Sequence, residues 1–203
     1  MNPPLQPFAR YQDQIFKGLR TTQTMAEQKE FEDCTFLLSS MTDLCFSQCR
    51  FIDCIFDRCD MSLCAFPHSA FVGCVFQNTK LVGIDWTQAD WTGLKLQEPV
   101  RFDACVLSHS TFIGMQITDL KMTGCISTDV DFREADLAGV DFSGTDLSQS
   151  LLHQTNLEGA DFRHAMKYTI QPEVNRLTKA KFSMPEAMSL LYNMDIVFDS
   201  GDE

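Results

Sequence analysis

Large apolar residues recur along this chain at every fifth position, from Phe31 through Phe36, Met41, Phe46, Phe51, Phe56, Met61, Phe66, Phe71, Phe76, Leu81, Trp86, Trp91 and Leu96. The register slips by one residue within 97–101 and resumes at Phe102. It then continues through Leu107, Phe112, Ile117, Met122, a weak Ser127, Phe132, Leu137, Phe142, Leu147, Leu152, Leu157 and Phe162. The two runs hold 14 and 13 centres, too many for chance to keep in one register. Two residues before most centres stands a small side chain, such as Ser39, Thr79, Ala89, Ala135 or Ala160. Eight of the nine cysteines, Cys34, Cys49, Cys54, Cys59, Cys64, Cys74, Cys105 and Cys125, take that same place, and only Cys45 falls outside it.

A period of five fits neither an α-helix, whose apolar face recurs every 3.6 residues, nor a strand, whose face recurs every 2. It suits a short extended segment that turns one small and one large side chain inward before a corner redirects the chain. Coils built this way would stack at the spacing of hydrogen-bonded strands, about 4.8 Å. The pattern by itself does not decide between three sides and four. Cysteine that alternates with alanine, serine and threonine is used for its size and burial. The series Cys49, Cys54, Cys59 and Cys64 argues little for a metal, because zinc pairs ordinarily stand two to four residues apart.

Both ends depart from the repeat. The stretch 1–30 keeps Phe8, Ile15, Phe16 and Leu19 but loses the pattern, and is expected to form an irregular first coil or cap. Pro172 interrupts the later units, yet Leu177 and Phe182 return in register, which puts the repeat region at 31–182. In 183–203 the pattern changes again. Ser183 with Glu186 reads as a capping box and Pro185 is tolerated in a first helical turn, so the sequence predicts a short helix over 184–194. Met188, Leu190, Leu191 and Met194, with Ile196 and Phe198 beyond, are more apolar surface than one narrow face needs. This segment reads either as a plug on its own coil or as a homodimer contact, which closed two-fold symmetry makes natural.

Charge narrows the choice of partner. With 28 acids against 16 bases the chain carries a net charge of -12, which repels nucleic acid and anionic membranes and favours basic partners. Between Asp129 and Asp161 eight acids, Asp129, Asp131, Glu134, Asp136, Asp141, Asp146, Glu158 and Asp161, meet one base, Arg133. They read as a partner-binding acidic surface or as ordinary solvation of the repeat. The interruption, with Gln97, Glu98 and Pro99, reads as a harmless bulge or a partner-contacting loop. Trp86 and Trp91, with Ile84 and Leu94 at nominally small places, are expected to swell the core; an exposed aromatic contact is the other reading.

His68, His109, His153 and His164 are scattered, and no nucleophile or acid can be placed beside them, so the chain is expected not to be an enzyme and to need no cofactor or metal. No apolar run approaches the roughly 20 residues of a membrane span and no signal-peptide pattern opens the chain. The expected setting is cytoplasmic, with reduced thiols.

The units Ala135-Asp136-Leu137-Ala138-Gly139, Thr145-Asp146-Leu147-Ser148-Gln149 and Ala160-Asp161-Phe162-Arg163-His164 resemble the motif of pentapeptide-repeat proteins. That resemblance implies an all-β solenoid, a right-handed quadrilateral parallel β-helix with a short C-terminal capping or dimerisation helix. Four sides would put about 7.6 coils in 31–182, a rod roughly 36 Å long, with Cys34, Cys54 and Cys74 in one column. The closing pattern Pro172, Glu173, Asn175 and Phe182-Ser183-Met184-Pro185-Glu186-Ala187 is similar to the topoisomerase-protecting subgroup. This subgroup comprises the Qnr-like, microcin-immunity and albicidin-resistance types, and the last is also similar around 31–36 and 81–86. The resemblance implies a dimer through the C-terminus, imitation of duplex DNA, and binding to the type II topoisomerase DNA gyrase that protects it from a toxin or antibiotic. The imitation would be partial, since 36 Å of duplex carries roughly 21 charges. The alternatives are a protein-interaction or structural scaffold with an unrelated partner, and a β-helix enzyme such as a polysaccharide lyase.

Overall fold

In the computed structural model, which describes residues 9–20, 22–91, 100–192 and 194, each five-residue unit forms one side of a coil. Most of its strands are three residues long, and in Thr35–Leu37, Arg50–Ile52 and Ile55–Asp57 only the middle residue is fully buried. The pleat turns the centre inward and its two neighbours outward. Two residues past the centre the backbone enters the left-handed region, as at Asp33 (φ 51°), Leu38 (φ 52°) and Asp53 (φ 51°), and the chain turns a corner. The next residue points inward again and fills the small place of the following side. Corners do not break the ladder, because their N–H groups donate to the next coil: Leu38 N–H reaches the Asp57 carbonyl at 3.0 Å.

All strand pairs are parallel, and the usual step between neighbours is 20 residues: Phe16 lies beside Phe36, Phe36 beside Phe56, and Phe56 beside Phe76. Twenty residues at five per side give four sides, which settles what the period left open. The result is a parallel β-solenoid of about 8 coils with one short C-terminal helix, α1 (Met188–Tyr192). We call its sides first to fourth after the centres Phe51, Phe56, Met61 and Phe66.

The core is a set of stacked columns. On the second side the ring centroids of Phe36, Phe56, Phe76 and Phe102 follow one another at 4.8, 4.6 and 5.1 Å with nearly parallel planes. These distances repeat the rise of a coil, so identical side chains at successive levels meet face to face. Rings on adjoining sides meet edge-on, as Phe51 does Phe56 at 5.6 Å, which complements the aromatic quadrupoles. Trp86 is fully buried between Phe66 and Phe112, so it belongs to the core rather than to an exposed contact, and Ile84 in the small place is buried beside it.

Serine, threonine and cysteine share the small place for a reason beyond size. Thr79 Oγ1 donates to the Phe56 carbonyl one coil back at 3.0 Å and accepts from the Cys59 N–H at 3.2 Å. Ser39 in the same column and Ser69 on the first side do the same, and the Cys54, Cys59 and Cys74 thiols point at the equivalent carbonyls at 3.3–3.4 Å. Burial pushes the Cys64 thiol up to about 12, while contact with Cys74 and then burial raise that of Cys54. Thiols held protonated do not attack disulfide reagents. A thiol titration of the native protein is therefore expected to modify Cys45 alone at most, and all nine thiols after denaturation; rapid reaction of several in the folded state would contradict this packing.

Three features depart from expectation. The regular coil starts earlier than residue 31: Arg10–Gln12 pairs with Glu30–Glu32 and Ile15–Lys17 with Thr35–Leu37. Tyr11 and Phe16 occupy true centres there, although Gln14 and Lys29 fill small places and obscure the pattern. The interruption is larger than one residue. Phe76 pairs with Phe102 and Lys80 with Val106, a step of 26, so six residues are inserted, and Phe102 holds the level that the repeat assigned to Leu96. Finally, α1 is shorter than 184–194. Ser183 Oγ accepts from the His164 N–H at 2.7 Å as part of the solenoid, and no capping box forms with Glu186. Bonds from Met188 to Pro185 and from Ser189 to Glu186 make a tight turn ahead of the helix.

Candidate binding surface

Residues adjacent in the repeat sit on different sides, so the acidic stretch 129–161 becomes a girdle. Asp131 and Glu134 lie on the fourth side, Asp136 and Glu158 on the first, Asp141 and Asp161 on the second, and Asp129 and Asp146 on the third, following the bridges Asp131 to Leu151, Asp136 to Asn156, Asp141 to Asp161 and Asp146 to Met166. The aspartate before each centre also has a local task. Asp131, Asp141, Asp146 and Asp161 each accept the backbone N–H two residues on, at 2.9–3.1 Å, which fixes the turn by a mechanism particular to short acidic side chains.

Five of the eight acids are matched by a base. Asp129 meets His109 at 2.9 Å, Asp131 meets Arg133 at 2.7 Å, Asp146 meets Lys167 at 2.8 Å, Glu158 meets Arg176 at 2.6 Å, and Asp161 meets Arg163 at 2.6 Å. Hydrogen bonds from the arginines hold the Asp131 and Asp161 carboxyls below the usual carboxylate range. Burial works against Asp146, but hydrogen bonds from Lys167 and Ser148 outweigh it and lower that carboxyl too. Asp136 accepts from Asn156 at 2.8 Å. The bases that follow Asp161 in sequence thus fold back beside the acids that precede it, and the local excess of charge is smaller in space than along the chain.

Other candidate positions divide between described and undescribed residues. Gln97, Glu98 and Pro99 lie outside the described residues, between Trp91 on the first side and Val100. Of the C-terminal group, Leu190 packs on the core, Met188 and Leu191 are half-buried, and Met194 is exposed; Ile196 and Phe198 are outside the described residues. Asn175, one of the closing residues, accepts from the Thr155 N–H at 2.9 Å and donates to the Leu152 carbonyl at 3.0 Å, doing the work of a small-place hydroxyl in the last coil. The Cys49, Cys54, Cys59 and Cys64 thiols stand on four different sides, each turned to a wall carbonyl. Among the described residues no three histidine, cysteine or acidic side chains gather closely enough to hold a metal ion, and no helix is long and apolar enough to cross a membrane.

A four-sided solenoid of five-residue units, lined by phenylalanine and small side chains and turned by left-handed corners, defines an architecture rather than a reaction. Residues 29–100 match the pentapeptide repeat region model and residues 131–166 match the pentapeptide repeats model, which spans eight copies. The chain is a pentapeptide-repeat protein. Its fold resembles that of QnrB1, a plasmid-mediated fluoroquinolone resistance protein. One trypsin-treated variant of QnrB1 is 17% identical with a TM-score of 0.63, covering 94% of this chain and 97% of its own. A second trypsin-treated variant is 18% identical with a TM-score of 0.62, covering 94% and 99%. Identity at this level carries the fold alone. No curated protein sequence matches the chain.

Proposed function

We propose that this protein is a non-catalytic binding protein that docks on a bacterial type II topoisomerase, DNA gyrase, in place of DNA and protects the enzyme from a toxin or antibiotic. The observation that carries this reading is the likeness of fold to a fluoroquinolone resistance protein along 94% of the chain. The net charge of -12 supports it, because a basic DNA-binding saddle attracts such a rod while duplex DNA is repelled. The similarity of the 172–187 pattern to topoisomerase-protecting proteins points the same way, and to a dimer through the C-terminal end. There Tyr192 (65% exposed) and Met194 (42%) leave apolar surface uncovered beside Leu190 and Leu191.

The test is a gyrase supercoiling assay with and without a fluoroquinolone or albicidin, alongside light scattering on the free protein. The expected result is dimer mass and restored supercoiling at micromolar protein, with Leu191→Asp giving a monomer that protects less. A wild-type monomer with no effect on gyrase, poisoned or not, would remove the reading. The five matched acids give some weight to a scaffold for an unrelated partner, which recovery of another protein and no topoisomerase in a pull-down would establish.

A further inference from the structure

The outer surface of the second side changes character along the rod. Just before each centre the stacked residues are Ile15, Thr35, Ile55 and Val75, then Arg101 and Lys121. Ile15 is 72% exposed and Ile55 39%, so four coils present an outward lane of β-branched side chains with nothing described above it. At the adjoining corner Asp13, Asp33 and Asp53 form a parallel lane, all exposed and all held in the left-handed backbone. Unlike most acids of the 129–161 girdle, these three make no ion pair with any described residue.

From this juxtaposition of lanes we infer that the corner binds a basic amphipathic α-helix of a partner protein, lying along the rod axis. Its apolar stripe covers Ile15, Ile55 and Val75, and its lysines or arginines face the aspartates. Pitch selects the helix. Successive rungs are about 4.8 Å apart and a helix offers one stripe residue per turn of about 5.4 Å, so three steps accumulate a mismatch of only about 2 Å. A strand repeats a face every ~6.7 Å and would be out of step by about 6 Å over the same distance. Nucleic acid and anionic membrane are repelled by the aspartates. Arg101 ends the lane and limits the bound helix to about three turns. The inference stands apart from the topoisomerase reading.

The probe is a fluorescent helical peptide of about 11 residues, roughly three turns, with leucines on one stripe and lysines along its flank, followed by anisotropy. Saturable binding is expected. Ile55→Glu should weaken it about tenfold or more by putting a charge under the apolar stripe. Replacing Asp13, Asp33 and Asp53 together by asparagine, which also tolerates the left-handed corner, should weaken it about tenfold and flatten its salt dependence. Glu134→Lys, on the fourth side, should leave affinity unchanged, and a proline in mid-peptide should abolish binding. If Ile55→Glu fails to fold, Ile15→Glu in the outermost coil replaces it. Absence of saturable binding, equal weakening by Glu134→Lys, or undiminished binding of the proline peptide would each overturn the inference. No topoisomerase enters the assay, so its failure and that of the supercoiling test are distinguishable.

Discussion

Phe56→Ala is expected to lower the unfolding free energy by about 3–5 kcal/mol, the cost of emptying a large buried aromatic site. The ring has no exposed surface and is stacked on both sides, 4.8 Å from Phe36 and 4.6 Å from Phe76. A cavity at this level cannot be filled from along the rod, because Phe36 and Phe76 are fixed by their own strands. Each coil touches only its neighbours, so the change also weakens the coupling between the two halves of the rod. Urea unfolding should show a lower midpoint together with a shallower slope, as the halves begin to unfold separately. Phe182→Ala is the comparison. That ring belongs to the last coil of the same column, is only half-buried, and should cost less than about 2 kcal/mol. Equal costs for the two would mean that the column does not act as a stack.

The second large effect is expected from Thr79→Val, which keeps shape and volume but removes the hydroxyl. Its oxygen is the acceptor for the buried Cys59 N–H, so valine leaves that donor without a partner, at a cost of about 1–3 kcal/mol. Thr79→Ser should be much milder, since its hydroxyl can still accept from the Cys59 N–H, and Thr79→Cys should fall between, since its thiol can reach the Phe56 carbonyl but is a weaker acceptor. Thermal unfolding of the three variants decides the matter. If valine proves as stable as serine, the small place is governed by volume alone. Ser127 marks the reverse situation: it is a fully buried centre whose hydroxyl finds no partner among the described residues.

The distinction between volume and bonding explains why parts of this molecule were legible early. The inward positions announce themselves because burial of Phe31 through Phe162 imposes a five-residue period that no helix or strand would maintain. The interchange of cysteine with serine and threonine was visible as well, though its second cause, a donor aimed at the previous coil, needs the coil to exist. The sequence marks a first coil before residue 31 but not its regularity, because a tube can end in polar residues such as Gln14. The capping box was a sound local signal at Ser183 that lost to a tertiary bond with the His164 N–H.

Sequence alone determined which residues are inside, because apolar burial acts on each unit independently and repeats with it. It also set the total charge. Only the tertiary structure decided which outward residues become neighbours, since a step of 20, or of 26 at the insertion, places side chains from distant units in one lane. That geometry scattered the acids of 129–161 over four sides and matched five of them with bases. The same geometry drew Asp13, Asp33 and Asp53 together, although no window of sequence contains them, because stacking couples residues across coils while chain order couples them only around one.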